Sequence, residues 1–494
     1  MSTKTSAVIH ADVHPGTTQR TLEVETRSFE FVPLNERHGT VKDQQKFWFM
    51  ANASLMTLFS GAVGHQFGLG LFWTFIAIAA GSFGGTIFQA LHAAQGPVMG
   101  IPQMIQSRVQ FGARGALVPL LAAMLVLCGF PLFGILSGAS ALHQIAPIGM
   151  SGSVIVAGVA AVLVAIYGYR LLIKSEKIVA YIVCANFLIL TVAVVVIVPW
   201  STAGANGWSF NSAGLLAQLG ASAMLQLGIA PLVSDYTRYL PTNVSGLKII
   251  QAVFGGTMIS ALWLSFIGAV IINAFPGVDA IESIRQIGNE FGGRLGTITM
   301  IVAIPASLLA AATGIYSCGV CLLSGAEAFR HFETTKVLRT VVLMVLGLII
   351  IAAGLVLPDN IVGAFGNFLS ILGYFLIPWT AVNLVDFYVV RKGAYSITDI
   401  LHPDGGFYGR WAWDGLVSYA LGFVAMTPFF STALYTGPIA QMLGGADIAF
   451  AVGLPVSCIS YLIFTRSFNT PEYREKVAAA PLNTLGTSHS VIDF

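Results

Sequence analysis

Charged residues are scarce in this chain of 494 residues. Only 9% of the residues are Asp, Glu, Lys or Arg, whereas 56% are hydrophobic. A water-soluble domain carries roughly a quarter charged residues, so a soluble protein built around a single packed core is excluded. The net charge of +2 is also too small to indicate a nucleic-acid partner.

The chain also lacks the usual signs of a metal or catalytic centre. Its five cysteines all lie in or at the ends of apolar runs, and none pairs with histidines in a polar loop, so neither a disulfide framework nor a zinc site is indicated. The apolar runs contain no paired carboxylates and no nucleophile next to a base, which disfavours an enzyme. We expect no metal and no organic cofactor.

Long apolar runs, in contrast, are abundant. A helix needs about 20 apolar residues to cross the roughly 30 Å hydrocarbon core of a bilayer. Twelve such runs, numbered here as spans one to twelve, are centred near residues 58, 82, 126, 162, 188, 226, 261, 310, 346, 370, 424 and 454. They are continuous rather than alternating, which predicts helices and not a barrel. The predicted fold is an all-α integral membrane protein with twelve transmembrane helices.

The basic residues divide sharply between the two sides of the membrane. Of the 24 Lys and Arg residues, 22 fall in the termini or in loops that follow even-numbered spans, and only Arg285 and Arg294 lie on the other side. The positive-inside rule therefore places both termini in the cytoplasm. Residues 1–45 lack the apolar core of a signal peptide, so we expect a cytosolic tail there and a second one at residues 466–494.

Spans one and six contain residues that a lipid-facing helix avoids. Span one includes Asn52, Thr57 and Ser60, and span six includes Gly228 and Pro231. Backbone groups that Gly and Pro leave open are tolerated only where they line a cavity, although small residues also serve helix packing. Either span alone would favour packing. Both together, five spans apart, indicate a transporter with inverted repeats, broken helices one and six, and a site near the membrane midplane.

Three separated blocks resemble the purine-cytosine permease branch of the nucleobase:cation symporter family. They are residues 95–115 between spans two and three, 235–241 after span six, and 378–393 at the end of span ten. Residues 36–39 are also similar to the family's entry segment. The first block is dense in Gly, Pro and Gln. It is consistent with a structured inner loop that moves with gating or with a plain solvated turn.

The resemblance implies a fold and a function. Residues 46–395 would form a five-plus-five inverted-repeat core of ten helices, and residues 396–465 two additional helices. The implied activity is alternating-access symport of a nucleobase-like solute, such as cytosine, a purine, allantoin or a hydantoin, with H⁺ or Na⁺ at the cytoplasmic membrane. The implied partners are the small-molecule substrate and the lipid bilayer, and the oligomeric state is not predicted.

The resemblance also points to a site with two departures from the family pattern. Family members stack the substrate on an aromatic residue of span three, usually Trp. Phe130 takes that place here and offers a face for stacking, although it would serve equally as core packing. Gly134 stands where the family usually has Asn. Residues 309–311 of span eight are Leu-Ala-Ala where sodium-coupled members have hydroxyls and amides.

The second departure bears on the coupling ion. Na⁺ needs oxygen ligands, which an alanine side chain does not supply. Either backbone carbonyls of span one together with Ser307 or Thr313 suffice, or the ion is a proton. His65 titrates in the physiological range, but its place near the outer end of span one favours an interfacial histidine. The candidates for ion coupling are Ser60, Ser307, Thr313 and His65.

Polar side chains in the expected substrate site are few. The amide of Gln226 would pair with a nucleobase edge bidentately or would bond a carbonyl freed in its own broken helix, and both roles stay open. At the end of span ten, Asp386 and Arg391 are expected to pair. The predicted substrate-binding residues are Phe130, Gln226, Thr57, Ser60, Gly228, Ser307 and Thr313.

An amino acid or polyamine carrier on the same fold is the alternative. The missing span-three amide and the sparse polar lining favour it. A substrate carboxylate would also exploit the free N–H groups at the start of a half-helix.

Overall fold

The computed structural model describes residues 31–167, 169–198, 207–275, 277–327, 335–357, 360–466, 468 and 470–485. These residues are predominantly helical. The only β-type pairings among them are two isolated bridges, Ser396 with Asn483 and Ser431 with Thr436.

Nine α-helices make up spans one to five and the loop between spans two and three. The first span is interrupted, because its two helices are bent by 66° at a break of three residues. The loop after span two folds into three short helices, so the interpretation as a structured loop is confirmed. The helices are α1 Val41–Ala51, α2 Leu55–Ser60, α3 Leu71–Ala93, α4 Gln95–Met99, α5 Gln103–Gln106, α6 Arg108–Phe111, α7 Leu117–Ile145, α8 Met150–Tyr167 and α9 Tyr169–Ile197.

Seven further α-helices make up spans six to ten and the connection between spans seven and eight. Span six is interrupted at Gly228 and Ile229 but is not sharply bent, so Ser212–Thr237 forms one apolar span of 26 residues. An amphipathic helix lies between spans seven and eight. Span ten continues into a π-helical turn at Asp386–Val390. The helices are α10 Ser212–Leu227, α11 Ala230–Thr237, α12 Gly246–Ala274, α13 Ala280–Gly292, α14 Leu295–Glu327, α15 Lys336–Val356 and α16 Ile361–Val385.

Among the described residues, the C-terminal part contains five α-helices, which are α17 Ile397–Leu401, α18 Trp413–Met426, α19 Pro438–Met442, α20 Ala449–Phe464 and α21 Pro471–Ala479. At the other end of the chain, α1 begins before residue 45, so the predicted boundary of the N-terminal tail falls within a helix. The predicted tail after residue 466 likewise includes a helix, α21.

Helices occupy all twelve predicted positions, but their lengths do not confirm twelve membrane crossings. Among the described residues, nine helices are long and apolar enough to cross a bilayer, and the bent pair α1–α2 gives a tenth. The helices α18 and α20 have only 14 and 16 residues. A straight helix of that length covers about 21 to 24 Å at 1.5 Å per residue, which is short of the hydrocarbon core.

The packing between helices repeats after five spans. Span one packs on α12, which is span seven, and span six packs on α3, which is span two. Each contact becomes the other when the two halves of the chain are exchanged. In the same way, the contact of α8 with α14 matches that of α7 with α15, and the contact of α9 with α14 matches that of α16 with α7. Because five is an odd number, the second half starts from the opposite side of the membrane. The predicted five-plus-five inverted repeat is therefore confirmed.

Glycines permit the closest of these helix contacts. A Cβ on Gly61 would overlap the carbonyl of Ser265 on α12, and a Cβ on Gly85 of α3 would overlap the carbonyl of Ala223 on α10. Backbone atoms do not move aside as the end of a flexible side chain does. Small residues at such places let two membrane helices approach closely, and here they do so at the two repeat-related contacts.

Replacement of Gly85 by Leu should lower the melting temperature of the purified protein. The added side chain meets the backbone of α10, and forced overpacking costs about 1–3 kcal/mol or more. Gly84→Leu is the matched control, because a Cβ on Gly84 has no atom of a neighbouring helix within 4 Å. Thermal unfolding in detergent measures both variants, and equal melting temperatures would contradict the assignment of Gly85 to a close contact.

Candidate functional site at the helix breaks

Two buried amide side chains join the breaks of spans one and six. Asn52 follows α1 directly, Gln226 lies in the last turn of α10, and their exposed fractions are 3% and 0%. Asn52 Nδ2 donates hydrogen bonds to Gln226 Oε1 at 3.0 Å and to the carbonyl of Thr257 on α12 at 3.3 Å. A single side chain therefore ties span one to spans six and seven.

This arrangement leaves the amide nitrogen of Gln226 unused. Gln226 Nε2 is buried and has no hydrogen-bond partner among the described residues. An unsatisfied buried donor costs about 1–3 kcal/mol, and an acceptor atom on a bound ligand would remove that cost. The observed partner of Gln226 is Asn52, not a freed carbonyl of its own helix, and contact of Nε2 with a substrate stays a prediction.

The hydroxyls of Thr57 and Ser60 turn back onto the broken helix. Thr57 Oγ1 donates to the carbonyl of Asn52 at 2.6 Å, and Ser60 Oγ donates to the carbonyl of Thr57 at 2.7 Å. Ser60 Oγ also lies 3.0 Å from Ser265 Oγ on α12. Both side chains thus bond to backbone oxygens of their own span, and the carbonyl of Thr57 also accepts from Ser265 Oγ at 3.2 Å. Contact of these two hydroxyls with substrate stays a prediction.

Phe130 lies beside the break of span six. The half-buried ring on α7 meets Phe368 of α16 edge to face, with centroids 5.5 Å apart. A Cβ on Gly228 would lie 2.7 Å from the carbonyl oxygen of Met224, 2.9 Å from Leu372 Cδ2 and 3.2 Å from Phe130 Cε2, so the ring packs closely against the backbone at Gly228. The structure therefore brings two predicted site residues, Phe130 and Gly228, into contact. The stacking role of Phe130 stays a prediction.

The hydroxyl residues of span eight are separate from this group. Ser307 faces α7, since its Cβ would lie 3.3 Å from a Cβ built on Gly138. Thr313 follows six residues later, and at 100° per residue the two side chains are about 120° apart around α14. Ser60, in contrast, bonds to α12. The hydroxyls of Ser60, Ser307 and Thr313 therefore lie on different helices or on different faces of α14. Their role in ion coupling stays a prediction.

The two departures from the family pattern fit each other. A Cβ on Gly134 would lie 3.2 Å from both Ala311 Cβ and the carbonyl oxygen of Ser307. A longer side chain at either Gly134 or Ala311 would push α7 and α14 apart. The missing amide of span three and the missing oxygen ligand of span eight are thus two parts of one close helix contact.

His65 lies away from the helix breaks. It belongs to a short 3-10 turn after α2, is half-buried, and is followed by exposed Gln66. Gln66 accepts a hydrogen bond from Asn360, at the start of α16, at 2.9 Å. The position at the end of the helix bundle fits an interfacial histidine, and a part in ion coupling stays a prediction.

Sequence reasoning missed a group of buried amides in the inner loop and span ten. We name this group the inner amide cluster (Gln95, Gln103 and Asn383). Gln103 Nε2 donates to Gln95 Oε1, and Gln95 Nε2 donates to Asn383 Oδ1, each at 2.7 Å. Ser234 of α11 donates to Gln103 Oε1 at 2.5 Å. The cluster ties the inner loop to the second half of span six and to span ten. The high glutamine content of the loop was its only signal in the sequence.

His92 extends this cluster into α3. Its ring is fully buried, stacks on Trp379 with centroids 4.7 Å apart, and places Nε2 at 2.8 Å from Thr380 Oγ1. Nδ1 lies 3.3 Å from Gln103 Nε2. Both ring nitrogens are therefore held by side chains of the inner loop and span ten.

The expected pairing of Asp386 with Arg391 is confirmed at the inner end of span ten. The two side chains form a buried ion pair. Asp386 also accepts hydrogen bonds from Gln110 at 2.7 Å, Tyr461 at 2.8 Å and Tyr395 at 3.0 Å. A carboxylate with this many donors is well compensated for its burial, so the group holds the inner loop, span ten and α20 together.

An inverted repeat of helices with an open donor at two joined helix breaks defines a secondary transporter. The family described as permease for cytosine/purines, uracil, thiamine, allantoin matches residues 31–453. The chain belongs to this family, and it is a multi-pass membrane permease and not an enzyme.

Named relatives cover most of the chain. The Putative purine-cytosine permease YxlA of Bacillus subtilis is 35% identical over 93% of this chain and 100% of its own length. The purine-cytosine permease fcyB of Emericella nidulans is 22% identical, over 89% of this chain and 88% of that protein. The purine-cytosine permease FCY2 of Saccharomyces cerevisiae is 24% identical, over 90% and 86%.

Solved structures show the same fold. Mhp1 in an inward-facing conformation aligns with a TM-score of 0.70 and 17% identity, over 93% of this chain and 98% of that one. Mhp1, a nucleobase-cation-symport-1 family transporter, in a closed conformation with bromovinylhydantoin also aligns with a TM-score of 0.70 and 17% identity, over 92% and 99%.

A double-mutant cycle tests the link between the breaks. Asn52→Ala and Gln226→Ala should each lower the free energy of unfolding, and the double variant should lose less than their sum by about 1 kcal/mol, because contacting residues couple. The exposed pair Asn360 and Gln66 makes the same kind of hydrogen bond and serves as the control with little coupling. Additive losses in the buried pair would contradict the link.

Proposed function

We propose that the protein imports a nucleobase or a related nitrogen heterocycle by alternating access, driven by H⁺ or Na⁺. The observation that carries the proposal is the unpartnered Gln226 Nε2 at the joined helix breaks. It lies two residues before Gly228, against which the Phe130 ring packs. Membership of the permease family and the names of the relatives support the same class of solute.

The chemistry of these groups suits a flat, neutral ring. The amide nitrogen would donate to a ring nitrogen or carbonyl oxygen, as amide side chains do to bases. An aromatic face at Phe130 adds stacking of about 0.5–1.5 kcal/mol beyond buried area, and Gly228 lets this ring lie close to the backbone of span six. The residues that form the site are uncharged, which favours a neutral heterocycle over a polyamine, whose ammonium groups need carboxylates.

In alternating access, the inner amide cluster would act as the gate that closes the site to the cytoplasm. We place both termini and this cluster at the cytoplasmic side of the cell membrane, in line with the distribution of basic residues. Ser234 of α11 and Asn383 of α16 are both held by loop glutamines. Separation of these bonds would release the second half of span six and open the site to the cytoplasm.

Transport assays test the proposal directly. Cells that produce the protein should accumulate labelled cytosine, a purine base, hydantoin or allantoin above the level of cells that lack it, and unlabelled cytosine should compete. Uptake of a labelled amino acid or polyamine without competition by cytosine would favour the alternative carrier. Accumulation of none of the four heterocycles would contradict the proposal.

The coupling ion is expected to be a proton, with no organic cofactor. Ala311 packs against Gly134 and offers no side-chain oxygen to Na⁺. Uptake should therefore persist when Na⁺ is replaced by choline and should collapse when a protonophore is added. Strict dependence of uptake on Na⁺ would contradict this expectation.

Phe130→Ala should abolish uptake, and Phe130→Trp should retain part of it, because a stacking face is lost in the first variant and kept in the second. Phe83→Ala is the matched control, since Phe83 is 51% exposed on α3. Initial uptake rates, normalised to the amount of protein in the membrane, measure the effect. Full uptake by Phe130→Ala would remove the stacking role.

A further inference from the structure

A cavity lies at the inner end of the protein, between the turn that follows span ten and the end of α20. Its volume is about 330 Å³, within the range of small-molecule pockets. We name it the basic pocket. The described residues that line it include Val389, Lys392, Leu462, Thr465, Arg466 and Thr470.

Two basic residues and no acidic residue stand among the described residues of this lining. Lys392 and Arg466 each lie two residues beyond the end of a helical segment, and both side chains are exposed. The ion pairs between described residues include neither of them. The pocket therefore carries two positive charges that no described residue compensates.

The nearest carboxylates along the chain are engaged elsewhere. Asp386, six residues before Lys392, forms the buried ion pair with Arg391. Glu472, six residues after Arg466, has its ion pair within α21. The positive charge of the basic pocket is thus available to an anion from outside the chain.

The rest of the wall is apolar and continues along the exposed side of α20. Val389 and Leu462 line the pocket and are 53% and 38% exposed. Ile459 lies one turn earlier in α20, away from the inner end, and is 57% exposed. A free phosphate ion gains nothing from such a surface, whereas a hydrocarbon chain covers it. The combination favours a phospholipid over a soluble anion.

Lys392 is also held in a left-handed backbone conformation. Its φ is 48°, and it is the only non-glycine residue with a positive φ in the described part of the chain. Glycine adopts this conformation without the clash that a Cβ causes. Backbone strain of this kind clusters at ligand-binding sites, and here it fixes the direction of one of the two cations of the pocket.

We propose that the basic pocket binds the headgroup of an anionic phospholipid of the inner leaflet. The phosphate would lie between Lys392 and Arg466, and an acyl chain would extend along Leu462 and Ile459. Basic pockets between membrane helices on the cytoplasmic side suit such headgroups. The assignment to the inner leaflet rests on the cytoplasmic placement made in the proposed function. One lipid bound in this way joins the end of span ten to the end of α20.

Lipid binding to the purified full-length protein in detergent tests the basic pocket. Native mass spectrometry should show one phosphatidylglycerol per chain that binds more tightly than phosphatidylcholine, whose headgroup has no net charge. Lys392→Gln and Arg466→Gln should each weaken phosphatidylglycerol binding about fivefold, the effect of one basic residue at a membrane surface. Lys248→Gln is the matched control with unchanged affinity, because Lys248 is exposed at the start of α12 and does not line the pocket.

Lys392→Gly separates the charge of Lys392 from its backbone strain. Because glycine accepts the left-handed conformation, this variant should keep or raise the melting temperature and still lose about fivefold in affinity for phosphatidylglycerol. A purely structural role of Lys392 would leave the affinity of this variant unchanged, and that result would overturn the assignment.

Three further results would overturn the basic pocket as a lipid site. They are equal affinities for phosphatidylglycerol and phosphatidylcholine, an equal loss of affinity in Lys248→Gln and Lys392→Gln, and displacement of the bound lipid by an equal concentration of inorganic phosphate, which would identify a soluble anion as the occupant. None of them bears on the uptake of heterocycles, so the transport assays decide the proposed function independently.

Discussion

The need to pair backbone groups at two helix interruptions governs the centre of this protein. Water is not available in the bilayer core to satisfy an open carbonyl or amide. Thr57 and Ser60 supply hydroxyls to the carbonyls of span one, and Asn52 connects that break to Gln226 and α12. After these demands are met, the buried Gln226 Nε2 still has no partner among the described residues. The hydrogen bonds that join the two helix breaks thus leave Gln226 Nε2 as the atom that suits a ligand.

Close packing at glycines fixes the positions of the helices around the two breaks. Gly61 and Gly85 let repeat-related helices touch through their backbones, and Gly134 does the same for α7 and α14. Rigid neighbours of this kind fix where the breaks lie relative to Phe130. The inner amide cluster adds hydrogen bonds that join the inner loop to the second half of span six and to span ten.

The fold and part of the site could be predicted because they depend on local patterns. Apolar length, glycines with Pro231 in span six, and the basic residues indicated the repeat. The number of crossings was not confirmed, because α18 and α20 are short although apolar. The partner of Gln226 and the link from Gln95 to Asn383 join residues 174 and 288 positions apart, and no local pattern encodes such pairs. Hydroxyl orientation at Thr57 likewise depends on the bend itself.

The site at the helix breaks is the central claim, and a structure determined with bound cytosine tests it most directly. We predict density for a flat ring stacked on Phe130, with an acceptor atom within hydrogen-bond distance of Gln226 Nε2. Density for the base elsewhere in the bundle, with Phe130 still packed edge to face on Phe368 and Gln226 Nε2 still unpartnered, would contradict the claim.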